Sequence, residues 1–238
     1  MGSNLLVRDG GIPGLVVCLA GRLTAVQIMD DGNVRVESGV TCARLARFSA
    51  DAGLAGGEFF AGIPGSVGGA LAMNAGAHDG STWEQVVAVE TIDRLGIVRI
   101  RQPDEFEVGY RSVRGVAGEW FVAAHLQMIS GTQALIREQI REILRWRKRA
   151  QPLDQASAGS VFRNPDGDYA ARLIDTAGLK GRRVGGAMVS EKHANFIVND
   201  GTASAADIER LIESVRDQVQ RDHGIELKLE VHIVGVPL

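Results

Sequence analysis

Ser160 is the residue of this sequence whose surroundings best suit proton-transfer chemistry. It lies in residues 157–165, a stretch that opens with small residues, includes Gly159 and closes at Asn164 and a proline. Glycine has no Cβ, so the backbone can approach a ligand closely here, and the serine hydroxyl can donate or accept a proton. No histidine is close in sequence and no Gly-x-Ser-x-Gly elbow surrounds the serine, which favours a proton donor over a hydrolytic nucleophile. A plain turn between two elements is the alternative interpretation.

Residues 56–77 form the most glycine-rich segment and indicate a binding loop for an anionic ligand. They hold too many glycines for a regular helix or strand and too many apolar residues for disorder. We therefore expect an ordered loop around a buried ligand, in which Gly65, Ser66, Gly68 and Gly69 offer N–H groups to anionic oxygens. The spacing matches neither a Rossmann fingerprint nor a P-loop. A glycine-rich structural turn is the alternative.

The first residues of the chain carry a weaker signal of the same kind. Gly2, Ser3 and Asn4 form a turn whose N–H groups and short polar side chains suit a pyrophosphate, although no strand precedes it. A plain turn is again the alternative.

Charged and titratable groups elsewhere could complete a site. Arg111 follows Tyr110 and could clamp a carboxylate, the alternative being a solvated surface charge. Glu230 lies in the final alternating stretch and could serve as a general acid or a hydrogen-bonding anchor. His193 follows Lys192 and could act as a base, but a hydrogen-bonded structural histidine is the favoured interpretation.

The elements that must position these residues form a mixed α+β pattern. Strands are predicted at residues 15–19, 24–29, 33–38, 86–93, 97–101 and 120–129, and regular alternation of apolar and polar residues predicts a final strand at residues 225–233. Asp31-Gly32 predicts a type I′ hairpin turn between the second and third of these strands. Helical spacing predicts a helix between Thr41 and Gly53, and others at residues 133–149, 170–176 and 205–223. Residues 157–165 are expected to connect elements.

The composition is that of a globular protein with an excess of glycine. The 238 residues suffice for one large domain or two small ones, and glycine makes up 30 of them, nearly twice its usual ~7 % share. A net charge of -3 argues against a nucleic-acid-binding surface. No apolar run approaches the ~20 residues of a membrane span, and Met1 opens no signal-peptide pattern. Cys18 and Cys42 lack metal-ligand spacing and are expected to be reduced core residues of a cytoplasmic protein.

Taken together, the motifs resemble the UDP-N-acetylenolpyruvoylglucosamine reductase (MurB) family. Each motif is weak alone, but they run in family order over essentially the whole chain. The matching segments are residues 2–7, 62–69, 73–77, 109–112, 158–165, 192–199 and 229–231. The spacing after Arg111 is similar to that of the shorter (type II) variety of the family, which lacks an extra loop.

The resemblance implies an α+β fold in two domains. Residues 1–149 would form an FAD-binding domain of the vanillyl-alcohol-oxidase (PCMH) type, and residues 150–238 a smaller α/β substrate-binding domain. It also implies the cofactors FAD and NADPH. NADPH would reduce FAD and leave, and flavin N5 would then deliver hydride to the vinyl methylene carbon of UDP-N-acetylglucosamine enolpyruvate. The product would be UDP-N-acetylmuramate, a peptidoglycan precursor.

The resemblance also implies roles for individual residues. Arg111 and Glu230 match the arginine and carboxylate that meet the charge developing on the substrate carboxylate, and Ser160 matches the proton-donating serine. Tyr110, Asn164 and Lys192 match substrate contacts. The residues that match FAD contacts are Gly2, Ser3, Asn4, Gly62, Ile63, Pro64, Gly65, Ser66, Gly68, Gly69, Asn74, Ala75 and Gly76.

Family members carry a further N-terminal lobe that forms half of the FAD cradle, whereas this chain begins inside the pyrophosphate motif. We therefore expect a chain without that lobe and with weakened FAD affinity. Two alternatives are a flavin-poor remnant that only binds the UDP-sugar, and an FAD-dependent oxidase on the same fold. Arg111, Ser160 and Glu230 argue against the oxidase, which needs no proton donor to an alkene carbon. No nucleic-acid or obligate protein partner is expected.

Overall fold

The computed structural model describes residues 1–78 and 80–238, which divide into two compact units. The first unit comprises Met1 and Cys18–Arg147, and the second comprises Gly2–Val17 and Lys148–Leu238. Residues 2–17, which the expected domain boundary assigned to the first domain, thus pack with the C-terminal part of the chain.

Short strands and amphipathic helices make up both units. The helices of the described residues are α1 Cys42–Ala52, α2 Val67–Met73, α3 Gln133–Ala150, α4 Ala170–Thr176 and α5 Ala205–His223. The strands are β1 Leu5–Val7, β2 Val26–Ile28, β3 Val34–Glu37, β4 Leu54–Ala55, β5 Gly76–Ala77, β6 Gly80–Ser81, β7 Val86–Asp93, β8 Val98–Arg101, β9 Glu107–Gly109, β10 Ser112–Arg114, β11 Glu119–Leu126, β12 Ile129–Ser130, β13 Ala156–Ser160, β14 Arg183–Val184, β15 Ala187–Val189, β16 Phe196–Asn199 and β17 His232–Val234.

The first unit is organised around an antiparallel sheet of order β2-β3-β11-β7-β8. Val34 and Val36 of β3 are fully buried while Arg35 and Glu37, which alternate with them, are not, so one face of the sheet packs on the core. Val67 and Leu71 of α2 belong to the same core cluster, as does Phe60 of a preceding 3₁₀ turn. Small antiparallel pairs, β5 with β6 and β9 with β10, surround this core.

The second unit joins the two ends of the chain. Its sheet has the order β13-β16-β15-β14, and α5 contributes the buried residues Leu211, Ile212, Val215 and Val219 to the core. Strand β1 pairs in parallel with β17. The Asp9 carboxylate accepts hydrogen bonds from the N–H groups of Ala205 (2.9 Å) and Ala206 (3.2 Å) at the start of α5. These contacts explain why residues 2–17 belong to this unit.

The predicted helix ends are confirmed. The Thr41 side chain accepts from the Arg44 N–H at the start of α1, and Gly53 ends that helix in the left-handed conformation (φ 69°). Ser204 and Asp207 form the predicted capping box of α5, and Gly224 (φ 69°) ends it.

The hairpin between β2 and β3 is confirmed, but its turn is not type I′. The Met29 N–H donates to the Asn33 carbonyl (2.8 Å) and the Gly32 N–H donates to the Met29 carbonyl (2.9 Å). The loop therefore has three residues, and only Gly32 among them has a positive φ (83°). A type I′ turn needs two left-handed residues, whereas a three-residue loop needs one. The Asp31 carboxylate, which accepts from Asn33, favours this alternative.

Two predicted strands differ from the structure. Residues 15–19 are irregular, and Leu15, Val16 and Val17 are 91 %, 64 % and 69 % exposed, because they find neither a partner strand nor a face to bury. At the C-terminus only His232–Val234 forms a strand. Residues before it keep the predicted alternation, with Leu227 and Val231 buried, but they make only an isolated bridge, between Leu229 and Phe162.

The cysteines occupy different environments, which corrects the expectation that both lie in the core. Cys42 is buried in α1, and burial raises the pKa of its thiol to about 12. Cys18 is exposed. None of the helices in the described ranges has the length and hydropathy that a membrane crossing requires.

We expect a thiol reagent to modify Cys18 and to leave Cys42 unmodified in the native protein at pH 8, since the thiolate is the reactive form. Counting modified thiols by mass before and after denaturation checks this. Cys18→Ser should react only once unfolded, and native modification of that variant would contradict the burial of Cys42.

Glu119 makes a pH-dependent contribution to the stability of the first unit. Hydrogen bonds from Arg101 (Nη2 to Oε1, 2.5 Å) and from the Thr91 hydroxyl (2.6 Å) lower the pKa of Glu119 to about 2. A folded-state pKa below the ordinary value of roughly 4.3 means stabilisation that is complete at neutral pH and lost as the pH falls toward 2. We expect Glu119→Gln to unfold at lower urea concentration than wild type at pH 7, and this difference to shrink between pH 4.5 and 2.5.

Glu107→Gln is the matched control for that comparison, because Glu107 and Arg114 form an exposed pair at 3.5 Å with side chains 80 % exposed. Its midpoint should follow wild type at every pH. A Glu119→Gln difference that stays constant with pH would contradict the assignment.

Candidate active site

The glycine-rich segment contains a helix, contrary to the expected loop. Ser66 caps α2, and Val67, Ala70 and Leu71 of that helix are buried. A Cβ on Gly68 would lie 2.8 Å from the Cβ of Ser38, closer than carbon atoms pack. The helix forms despite its glycines because it is capped and buried, and Gly68 allows it to approach β3 and the residues after it.

Other predicted cofactor glycines are also explained by packing inside the chain. A Cβ on Gly62 would meet the Cβ of Ala77 at 3.0 Å, and one on Gly76 would meet the Gly80 carbonyl at 2.5 Å. These glycines give the backbone close contacts with itself, independently of any ligand.

The start of α2 fits the phosphates of FAD. Gly65 lies at φ 120°, and in the described part of the chain the N–H groups of Gly65 and Ser66 make no hydrogen bond to a protein acceptor. A Cβ on Gly69 would meet no atom closer than the Ser66 hydroxyl at 3.8 Å. Donors without acceptors and open space beside them are what an anionic oxygen requires. Residues 65–69 could therefore hold part of FAD.

Arg111 lies at the tip of a hairpin and contacts the same segment. Strands β9 and β10 pair Gly109 with Ser112, so Tyr110 and Arg111 form a two-residue loop, in which Arg111 has the positive φ of 51°. A left-handed arginine is strained, and such residues cluster at functional sites. Its guanidinium donates to the carbonyls of Gly76 (3.0 Å) and Asn74 (3.4 Å) and lies 5.2 Å from the Tyr110 ring centroid. The structure thus joins the predicted catalytic arginine to the predicted cofactor residues 74–76.

Residues 82–83, which sequence analysis did not select, brace that segment. The Thr82 hydroxyl donates to the Ala75 carbonyl (2.7 Å), and the Trp83 N–H donates to the Asn74 side-chain oxygen (3.1 Å). Both residues are buried. The capping-box spacing of Ser81 and Glu84, which the structure contains, is the sequence signal that could have located this turn.

In the second unit, the backbone brings Ser160 and Glu230 together. Ser160 ends β13, so the predicted connecting turn is instead a strand with a register shift between Ser157 and Ser160 and a left-handed Gly159 (φ 78°). The Glu230 N–H donates to the carbonyl of Val161, the residue after Ser160 (2.8 Å). Both predicted catalytic residues of this unit are half-buried on adjacent segments.

The predicted N-terminal turn lies beside them. The Asn4 side chain donates to the Glu230 carbonyl (3.1 Å), and the Asn4 carbonyl accepts from the His232 N–H (3.0 Å). A Cβ on Gly159 would lie 3.7 Å from the Ser3 carbonyl. Gly2, at φ 72°, has no atom within 4 Å of its Cβ position, which leaves room for a ligand.

Asn164 and Lys192, the predicted substrate-contacting residues of this unit, make hydrogen bonds within the protein. The Asn164 side chain accepts from the Ala170 N–H at the start of α4 (3.1 Å), and the Lys192 ammonium donates to the Lys148 carbonyl in the last turn of α3 (2.7 Å). Both residues are exposed, so these contacts leave them accessible to solvent.

His193 differs from the expected hydrogen-bonded histidine. Its Nδ1 is buried and, among the described residues, has no hydrogen-bond partner, while its ring contacts Phe196 edge to face at 4.7 Å. Desolvation lowers the pKa of His193, which favours the neutral ring.

Comparison with known proteins defines the family. The model described as UDP-N-acetylenolpyruvoylglucosamine reductase, C-terminal domain, matches residues 151–234, and the model described as FAD binding domain matches residues 1–101. The UDP-N-acetylenolpyruvoylglucosamine reductase of Alkalilimnicola ehrlichii is 57 % identical over 99 % of this chain and 78 % of its own length. This chain belongs to the UDP-N-acetylenolpyruvoylglucosamine reductase family.

Further relatives agree with this membership. The reductase of Legionella pneumophila (strain Corby) is 53 % identical over 99 % of this chain and 77 % of its own length. The crystal structure of the reductase (MurB) from Thermus caldophilus aligns with a TM-score of 0.87 at 39 % identity, covering 98 % of this chain and 83 % of that one. The MurB resemblance and the α+β fold, an FAD-binding domain followed by the family's C-terminal domain, are confirmed.

Two neighbouring glycines of α2 allow a test of which one is required for packing, because a Cβ would clash at Gly68 but not at Gly69. We expect Gly68→Ala to lower the free energy of unfolding of the flavin-free protein by about 1–3 kcal/mol, because the new Cβ meets Ser38. Gly69→Ala, in open space in the same helix, should be neutral or stabilising by up to about 1 kcal/mol. Urea unfolding of both variants measures this, and equal losses would contradict the packing account.

Proposed function

We propose that this chain reduces UDP-N-acetylglucosamine enolpyruvate to UDP-N-acetylmuramate with electrons from NADPH, using FAD. The observation that carries the proposal is the 57 % identity, over nearly the whole chain, to a protein named for this reaction. The reaction supplies a precursor of peptidoglycan. The cytoplasmic location expected from the sequence is part of the same proposal.

FAD, when bound, supplies the hydride relay from NADPH to the vinyl methylene carbon of the substrate. In the first unit, residues 65–69 are proposed FAD contacts, as the open N–H groups of Gly65 and Ser66 support. In the second unit, considered by itself, the Gly2-Ser3-Asn4 turn is a proposed FAD contact, as the open space at Gly2 supports. The other proposed FAD residues of the first unit, Gly62–Pro64 and 74–76, would shape the backbone around the cofactor.

Arg111 and Glu230 would act on the substrate carboxylate. Hydride addition to the alkene builds negative charge there, and groups that are already oriented stabilise such charge without reorganising. The guanidinium of Arg111 is oriented by two backbone carbonyls and by Tyr110, which supports this role. In the second unit, Glu230 would contribute a hydrogen bond to the substrate, and its backbone pairing with Val161 supports this role.

Ser160 would give a proton to the carbon next to the one that receives hydride. One hydride and one proton added to the alkene convert the enolpyruvyl group to the lactyl group, which balances the reaction. The left-handed Gly159 before Ser160 and the backbone bond from Glu230 to Val161 after it hold the serine at the end of β13. Tyr110, Asn164 and Lys192 are the proposed contacts to the rest of the substrate.

The direct test follows the flavin spectrum without oxygen. The purified protein, supplied with FAD, should lose flavin absorbance on addition of NADPH and regain it on addition of UDP-N-acetylglucosamine enolpyruvate. Flavin that is reduced but not reoxidised by this substrate would overturn the proposal.

We expect Ser160→Ala to slow flavin reoxidation by the substrate roughly 10²–10⁴-fold, the usual contribution of one positioned proton donor, with flavin reduction by NADPH unchanged. Ser157→Ala is the matched control, because Ser157 is exposed on the same strand. Stopped-flow measurement of flavin reduction by NADPH and of flavin reoxidation by the substrate, in both variants, checks this expectation. Reoxidation of Ser160→Ala at the control rate would remove Ser160 from the mechanism.

A further inference from the structure

The hairpin of residues 107–114, which carries Arg111 at its tip, packs against the core through Val113 of β10, whereas β9 is exposed. All three residues of β9 are exposed, and the Glu107–Arg114 ion pair across it is also exposed. At its base lies a cavity of about 160 Å³, lined in part by Phe106, Val113 and Phe121. A short hairpin with one exposed strand beside a cavity is weakly constrained on that side, so contacts at the tip contribute to fixing the arginine.

Asn74 makes such a contact from the end of α2. Its side-chain nitrogen donates to the Gly109 carbonyl at the hairpin tip (3.2 Å), while its side-chain oxygen accepts from the Trp83 N–H (3.1 Å). An N–H group and a carbonyl on opposite sides of one amide determine its orientation, because the reversed amide would satisfy neither.

The same residue holds the guanidinium through its backbone. Asn74 is left-handed (φ 42°, ψ 54°) and ends α2, and its carbonyl accepts from Arg111. The buried Trp83 anchors the side chain, since the Trp83 indole N–H donates to the Leu71 carbonyl (2.8 Å). A continuous set of hydrogen bonds therefore runs from the core, through Asn74, to the Gly109 carbonyl before the Tyr110-Arg111 loop and to the Arg111 guanidinium.

We propose that Asn74 is a positioning residue for Arg111, whose side-chain amide fixes the hairpin tip to residues 74–76 and so sets where the guanidinium lies. Both polar ends of the amide are used inside the chain, so this role is separate from any contact of the Asn74 backbone with FAD. The inference rests on the proposed reaction only where kinetics are used to test it.

Asn74→Gly removes the amide and keeps the backbone, because glycine adopts the left-handed conformation at no steric cost. Thr82→Val is the matched control: it removes one buried hydrogen bond to the same segment, at Ala75, and does not involve the hairpin. In the flavin-free protein, we expect the amides of β9 and β10 to exchange hydrogen about 10-fold faster in Asn74→Gly than in Thr82→Val, as loss of one hydrogen bond predicts.

In single-turnover kinetics, Asn74→Gly should slow flavin reoxidation by the substrate about 10-fold more than it slows flavin reduction by NADPH. In an Arg111→Ala background, the same substitution should change reoxidation less than 2-fold, because residues that act through one another are not additive. A purely structural role would instead give effects that multiply.

Unchanged hairpin exchange relative to Thr82→Val, or fully multiplicative effects with Arg111→Ala, would overturn the proposal. If Asn74→Gly does not fold, Asn74→Asp takes its place, because the carboxylate still accepts from the Trp83 N–H but cannot donate to the Gly109 carbonyl. Hydrogen exchange of the hairpin amides at the wild-type rate in that variant would equally overturn the proposal. If the wild-type protein does not reduce the substrate, the proposed reaction fails while the exchange measurement still decides the role of Asn74.

Discussion

The left-handed turn at Asn74 is the constraint on which the ligand-facing side of the first unit depends. It ends α2 after two turns and directs the backbone into β5, so that the carbonyls of residues 74 and 76 point at a guanidinium from a distant hairpin. Asparagine is one of the few residues with a side chain that tolerate this conformation. A helix continued past this point would present neither carbonyl, since both would be bonded within it.

The second unit depends on a different kind of constraint, the pairing of chain segments that are remote in sequence. Residues 160–163 and 228–231 lie side by side through backbone hydrogen bonds, and Asn4 joins them through its side chain. Backbone pairing sets the spacing of Ser160 and Glu230 without requiring either side chain to pack.

Local rules predicted much of the fold from the sequence, and the failures have physical causes. Thr41, Gly53, Ser204 and Gly224 marked helix ends correctly because capping acts within a few residues. The prediction of a loop in the glycine-rich segment was wrong because burial against Ser38 outweighs the low helix propensity of glycine. Composition reports helix propensity but not burial. The strand prediction at residues 15–19 was wrong because an apolar run cannot show whether a partner strand exists. The family motifs led to the proposed site residues, but the Thr82–Trp83 brace depends on tertiary contacts that the motifs do not include.

The parallel pairing of β1 with β17 has a consequence for how the protein is made. Residues 5 and 232 are neighbours in one sheet, so the second unit cannot complete its fold until residues 232–234 have left the ribosome. During synthesis the first unit, which needs only Cys18–Arg147 and Met1, can assemble while Leu5–Val7 waits without its partner. Contacts of such high sequence separation are closed late and slowly. The apolar strand Leu5–Val7 therefore stays unpaired on the nascent chain until β17 has been synthesised.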